Sequence, residues 1–205
     1  RFSSMEPLAI DDDFVARMAK LPKVCDHYHL SLQSGCNRTL KRMNRKYNAE
    51  QYAEACERLR NAFPNVAITT DIIVGFPDET EEDFKESLAF AKKMKLDKIH
   101  TFPYSPKKGT PAAKMKNQIS GDVKSQRSKE MIALSDKMNI DFLNNNIGKT
   151  VPVLFEDMEN GFWQGHTTNY IKVLVKSDEN LNNKIVDVKL DKIHGVEIVE
   201  GTVVK

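Results

Sequence analysis

The apolar pattern of this chain changes period once, and that change constrains the fold more than any other feature. Up to about residue 146, short β-rich runs alternate with longer segments whose apolar residues recur every three or four positions. Arg1 to Met5 reads as a short strand. Asp11 can cap a helix that puts Phe14, Met18 and Leu21 on one face. His27 to Leu32 alternates as a strand does, and Asn37 to Lys46 reads as helix. Asn48, with Gln51 three residues on, opens a helix with Tyr52, Ala55, Leu59 and Ala62 inward. Val66 to Val74 is nearly continuous in apolar character, the signature of a strand buried on both faces. Thr80 and Asp83 form a second capping pair, ahead of Phe84, Leu88, Ala91 and Met94. Lys98 to Tyr104 is another strand, and a long helix from about Asp122 carries Met131, Leu134, Met138 and Phe142. Such alternation predicts a parallel α/β sheet.

From Gly148 the helical period disappears. Thr150–Phe155, Phe162–His166, Ile171–Val175, Lys184–Leu190 and Glu197–Val203 are short β segments separated by turn formers. Five strands in this span predict a small, OB-like all-β barrel. Two domains follow, residues 1–146 and 147–205.

Composition bounds the class. The chain has 205 residues, 40% of them hydrophobic and 29% charged, which fits a soluble globular protein. No apolar run approaches the roughly 18 residues of a membrane span, so no membrane partner is expected. The chain begins at Arg1 with no signal peptide, and it reads as an excised piece. Cys25, Cys36 and Cys56 are too few and too scattered for a disulfide framework, which points to a reducing cytoplasm. Their spacings match no compact zinc or iron–sulfur pattern, so no metal site is expected within the chain.

Parallel α/β folds place their sites at the C-terminal strand ends. Those ends read Ser3–Pro7, Gln33–Cys36, Asp71–Thr80 and Phe102–Pro111. Each carries Gly, Pro or small polar residues, as ligand-binding loops and ordinary βα turns both do. Arg38, Lys41, Arg42 and Arg45 fall on one predicted helical face, which suits either a phosphate or carboxylate ligand or a solvated surface. Asp78, Glu79, Glu81, Glu82 and Asp83 gather at a helix start, where they complement its dipole. His27, His29 and His100 read as packing or substrate-facing residues. From Gly148 onward there are seven Lys, no Arg and nine acids, so any nucleic-acid binding there rests on Phe162, Trp163, His166 and Tyr170 with Lys172. The other reading puts Trp163 in the barrel core.

As a set, these segments resemble one family. His29-Leu30-Ser31-Leu32-Gln33-Ser34-Gly35, Leu40-Lys41-Arg42-Met43-Asn44-Arg45-Lys46-Tyr47, Asp71 to Thr80, and Tyr104-Ser105-Pro106 with Gly109-Thr110-Pro111-Ala112-Ala113 are similar, in order and spacing, to the radical SAM methylthiotransferases. The tail resembles their TRAM domain. Ala133-Leu134-Ser135-Asp136 and Gly165 to Val173 look most like the branch acting on threonylcarbamoyladenosine in tRNA. The sequence departs from the pattern at Asp78, where the family usually has Gly, and at Cys36, where Ser is common.

The resemblance implies the last four βα units of a partial (β/α)6 barrel, then a five-stranded TRAM barrel. It implies S-adenosylmethionine as methyl donor and radical source. It also implies two [4Fe–4S] clusters in the full-length protein, with ligands absent from this chain, so that the chain alone is inactive. The substrate implied is the anticodon stem-loop of tRNA, methylthiolated at C2 of the modified adenosine. By matched position, Glu6, Gln33, Ser34, Arg45 and Asp71 are expected cofactor or substrate contacts. Arg38, Lys41, Arg42, Trp163, Tyr170 and Lys172 are expected RNA contacts. Two alternatives remain open here: a ribosomal-protein methylthiotransferase of the same build, and a non-catalytic RNA-binding module. Self-association through the exposed barrel edge is a further expectation.

Overall fold

A computed structural model describes residues 1–204. Its first domain runs α1 (Asp12–Met18), β1 (His27–His29), α2 (Asn37–Arg42), α3 (Ala49–Ala62), β2 (Ala67–Val74), α4 (Glu81–Met94), β3 (Lys98–Pro103) and α5 (Gly121–Asn144). The strands form a parallel sheet in the order β1-β2-β3. The first expected strand is reduced to one parallel bridge, Met5 to Leu30, so it adds a fourth βα unit without a full ladder.

Local chemistry sets the helix ends. The Asn48 and Thr80 side chains accept from the N–H groups of Gln51 and Asp83, whose side chains bond back, so both capping boxes form. Asp11 and Ser120 cap α1 and α5. Alternation along the strands then sorts the sheet's two faces. Tyr28, Leu30, Ile68, Ile72 and Ile99 pack with Tyr52, Leu59, Phe84 and Met131 of the helices in one core. His27, His29, Thr69, Asp71 and His100 occupy the opposite, inner face. The expectation of a β2 buried on both faces therefore holds only as far as Thr70: Asp71 and Ile73 are half-buried on the inner side.

Two other expectations need correction. The ladder of β1 stops at His29, and the chain continues through bridges at Leu30 and Gln33, the latter with φ +65°. Helix α2 ends at Arg42 rather than Lys46, because Asn44 enters the left-handed region at φ +58°. Arg45 thus leaves the face shared by Arg38, Lys41 and Arg42.

The second domain comprises β4 (Thr150–Glu159), β5 (Phe162–Thr167), β6 (Lys172–Val175), β7 (Ile185–His194) and β8 (Ile198–Val203). They close a five-stranded barrel in the order β4-β5-β6-β8-β7. Its core holds Val153, Phe155, Trp163, Val173, Val188 and Val199, and Leu143 at the end of α5 joins it.

This barrel sits against the N-terminal ends of the sheet strands. Arg1 donates to the Thr167 carbonyl, Asn169 to the Asn65 carbonyl, and Lys98 pairs with Glu197 at 2.9 Å. The ring of Tyr170 stacks on His27 at 4.5 Å and on His166 at 4.9 Å, with the Arg1 guanidinium 4.3 Å from its centre. A cavity of about 230 Å³ remains between the two domains, lined by Thr69, Asp97, His100, Asn169, Tyr170 and Lys172 among others.

Candidate active site at the strand C-termini

The opposite end of the sheet is open. A cavity of about 420 Å³ lies over the C-terminal ends of β2 and β3, between Gln33, Asp71, Ile73, Phe102 and Tyr104, with Lys107 and Thr110 on its rim. Phe102 is 51% exposed, an unusual state for a strand phenylalanine, and it gives the pocket an apolar wall. Asp71 supplies a carboxylate on the same floor. Its Oδ2 lies 3.3 Å from Nε2 of His29, whose Nδ1 is 3.0 Å from the Thr69 hydroxyl, and that hydroxyl also meets Nε2 of His27 at 3.0 Å. A polar chain therefore runs along the inner face from the pocket toward the barrel. Burial and then the charge of Arg1 lower the pKa of His27 to about 4, which keeps its imidazole neutral at neutral pH.

The predicted site residues divide into groups. Gln33 and Asp71 share the pocket, and their backbones are joined, since Gln33 N–H donates to the Asp71 carbonyl and Ile73 N–H to that of Gln33. Glu6 and Arg45 pair at 3.3 Å at the adjoining strand end. Ser34 is buried, and its hydroxyl accepts from Cys36 N–H, so it shapes the turn rather than facing the pocket. Gly35 lets that turn rest on α4: a Cβ there would sit 2.8 Å from Phe90 Cβ.

The expected RNA contacts are mostly engaged elsewhere. Arg38 Nε and Arg42 meet the two carboxylate oxygens of Asp83 at 2.7 and 2.8 Å, and Asp83 is only 3% exposed. Burial opposes its ionisation, yet the bonds from Arg38, Arg42, the Thr80 N–H and the Cys36 thiol hold it well below the usual carboxylate range. The two arginines thus clamp α2 onto α4. Lys41 alone of the three is exposed and outside any ion pair among the described residues. Trp163 is 8% exposed in the barrel core, so the platform reading is corrected: no ring face is open to a base. Tyr170 lies in the domain junction, and Lys172 lines the cavity there.

Sequence reasoning took Glu79 and Asp83 as dipole partners, and it missed their burial. Glu79 accepts from Gly75 N–H at 2.6 Å and from Arg127 at 2.7 Å, with both side chains almost fully enclosed. Burial pushes its carboxyl above the ordinary value, and the Gly75 N–H and Arg127 limit the rise. This pair ties the β2–α4 turn to α5. Asp78 takes φ +65°, the conformation that the family's Gly would adopt freely. Asn117 holds it there by donating to its carboxylate and by accepting its N–H at 2.9 Å.

The cysteines do not converge. Among the described residues, only Cys36, Asp83 and Glu86 bring three ligand-type side chains together, and Asp83 there is already saturated by two arginines. Burial raises the Cys36 thiol, which donates to both carboxylates. The donor set does not fit an iron–sulfur cluster.

The family model described as the radical SAM superfamily matches residues 3–91. Two solved structures share the fold. Coproporphyrinogen III oxidase (HemN) from Escherichia coli, described as a radical SAM enzyme, has a TM-score of 0.57 at 15% identity, over 80% of this chain and 45% of that one. The archaeal Methanocaldococcus infernus Elp3 has a TM-score of 0.52 at 13% identity, over 91% of this chain and 55% of that one. The radical SAM match thus covers residues 3–91, on a fold that both structures share.

Curated relatives narrow the class. The threonylcarbamoyladenosine tRNA methylthiotransferase MtaB of Bacillus subtilis is 39% identical over 210 residues, covering 100% of this chain and 46% of the relative. The tRNA-2-methylthio-N(6)-dimethylallyladenosine synthase of Acetivibrio thermocellus is 36% identical, over 100% of this chain and 43% of the relative. That of Aquifex aeolicus is 39% identical, over 94% and 44%. Along nearly its whole length the chain is similar to these tRNA methylthiotransferases, and it spans less than half the length of each. No described helix is long and apolar enough to cross a membrane.

Proposed function

We propose that this chain is the substrate-facing part of a cytoplasmic tRNA methylthiotransferase that modifies C2 of threonylcarbamoyladenosine beside the anticodon. The carrying observation is the 39% identity to the Bacillus enzyme across the whole chain. The relatives named above all act on tRNA, by their names, which favours tRNA over a ribosomal protein. The radical SAM match favours an enzyme over a passive RNA-binding module. On this reading the C-terminal barrel is the TRAM domain.

The pocket has the chemistry of an adenosyl site. Ile73, Phe102 and Tyr104 offer apolar surface to a purine, while Asp71 and the Gln33 turn offer polar contacts. Arg45, held by Glu6, stands at the next strand end with a guanidinium suited to a carboxylate. S-adenosylmethionine bound here would supply the methyl group and the radical precursor. The chain's own residues bind and orient it, and the inner face with His29 and His100 borders the space that a substrate base would enter. We place the ligands of both [4Fe–4S] clusters outside these residues, so the chain alone should take up no cluster and be inactive. Stoichiometric iron and sulfide after anaerobic reconstitution of residues 1–205 would contradict this. With the Met5 bridge as its outer edge, the isolated chain should also self-associate, to be seen in light scattering.

The function itself is tested by expressing the full-length protein in a host stripped of its own methylthiotransferases and analysing tRNA nucleosides by mass spectrometry. The methylthio form of threonylcarbamoyladenosine is expected. The methylthio form of dimethylallyladenosine alone would reject the substrate, and no methylthiolated nucleoside would reject the function.

A further inference from the structure

The structure moves the nucleic-acid surface away from the residues the sequence nominates. Arg38 and Arg42 are spent on a buried carboxylate, Trp163 is core, and Tyr170 and Lys172 lie at the opposite end of the sheet from the pocket. That end is about 20 Å away along β2 at the usual rise per residue. A different segment stands at the pocket mouth. Between Phe102 and Ser120 the chain has Lys107, Lys108, Lys114 and Lys116 and no acidic residue. All four lysines are exposed. The ion-paired lysines of the described chain are Lys85, Lys98 and Lys192, so these four carry uncompensated charge. Lys107 itself lines the pocket.

The segment is also ordered by its own bonds. Thr110 N–H and hydroxyl both donate to the Lys107 carbonyl, and Gln118 donates to the carbonyls of Ala112 and Met115. Asn117 is bonded twice to Asp78, and Lys124 donates to the Tyr104 carbonyl. Pro103, Pro106 and Pro111 limit its freedom further. A frame fixed in advance presents charge with little ordering cost on binding.

We infer that Lys107, Lys108, Lys114 and Lys116 hold the backbone phosphates of the RNA strand on either side of the nucleotide whose base reaches the inner face beside the pocket. This rests on the tRNA reading above and specifies the surface that reading leaves open. A base reaching that inner face past the cofactor must leave its stack, and its flanking phosphates then lie at the rim where the lysines are. Lysine suits this role, since a hydrated point charge tolerates the variable geometry of a single strand.

The test measures binding of an anticodon stem-loop RNA to the full-length protein by fluorescence anisotropy across a salt series. Each phosphate contact contributes roughly 0.7–0.9 to the slope of log affinity against log salt. Replacing all four lysines with Gln should lower that slope by about 3 on the same principle. A control with Lys172→Gln, Lys176→Gln and Lys184→Gln in the barrel should change it by less than about 1. Wild-type binding with an unchanged slope in the loop variant overturns this assignment and leaves the tRNA reading intact. An equal fall in the barrel control also overturns it. Failure of the wild type to bind RNA overturns the tRNA reading, and this inference with it. Should the fourfold variant fold poorly, Lys107→Gln and Lys116→Gln singly should each lower the slope by roughly 0.7–0.9, and no change in either rejects the assignment.

Discussion

Two basic segments flank the candidate site, Arg38–Lys46 and Lys107–Lys116, and they carry their charge in opposite ways. In the first, Arg38 at the surface and the more covered Arg42 share one buried aspartate, Asp83. In the second, four lysines remain in water on an ordered loop with no acid among them. Residue type explains the split. A guanidinium offers a planar fork that matches a carboxylate and loses less on leaving water, whereas an ammonium is strongly hydrated. A run of positive charge in a sequence is therefore no surface until its partners are known.

The sharpest way to break this comparison is to remove the arginines. Arg38→Ala with Arg42→Ala leaves the buried Asp83 without a cation, held only by the Thr80 N–H and the Cys36 thiol, and should cost about 3–5 kcal/mol of stability in chemical unfolding. Asp83 has a depressed pKa in the fold, so the stabilisation is present above the ordinary carboxylate pKa and is lost as pH falls below it. The cost of the double substitution should accordingly shrink in acid. If the variant unfolds like the wild type at neutral pH, the arginines are not structural and the two segments are alike.

The domain junction offers an intermediate effect. His27 is neutral in the fold, with a pKa of about 4 against an ordinary 6.5. Its contribution is present above pH 6.5 and is lost as pH falls from there toward 4, by about 1–3 kcal/mol. Tyr170→Ala should expose His27 and return its titration toward the ordinary value, which NMR of the imidazole protons would follow. A His27 that still titrates near 4 in that variant would show that Tyr170 does not cover it.

How much of this was legible in the sequence depends on the range of the interaction. Helices α3 and α4 could be read from Asn48/Gln51 and Thr80/Asp83 because capping is local. The switch to an all-β barrel could be read because strand and helix periods differ. The ends of β1 and α2 could not, since nothing nearby announces that Gln33 and Asn44 adopt positive φ. Nor could the pairs Arg42–Asp83 and Glu79–Arg127, whose members lie more than forty residues apart and meet only when helices pack. Gln33 and Asp71 were legible as strand-end residues, but Phe102 as a pocket wall required the register that sets it beside Ile73.

The smallest expected effect belongs to Asp78. Asp78→Gly relieves a left-handed backbone and loses the Asn117 bond, so the two changes should nearly cancel, within about 1 kcal/mol. A larger loss in thermal unfolding would mean that the side-chain bond, rather than the backbone, fixes the loop that carries the lysines.

In the enzyme we propose, the strand ends around Gln33, Asp71 and Phe102 form the cofactor site. The direct measurement is calorimetric binding of S-adenosylhomocysteine to the full-length reconstituted protein, with Asp71→Asn and Phe102→Ala beside the wild type. About 1.4 kcal/mol lost, or tenfold in affinity, is expected from each substitution, with the unfolding midpoint unchanged. Undiminished binding in both variants would place the cofactor elsewhere and contradict the account.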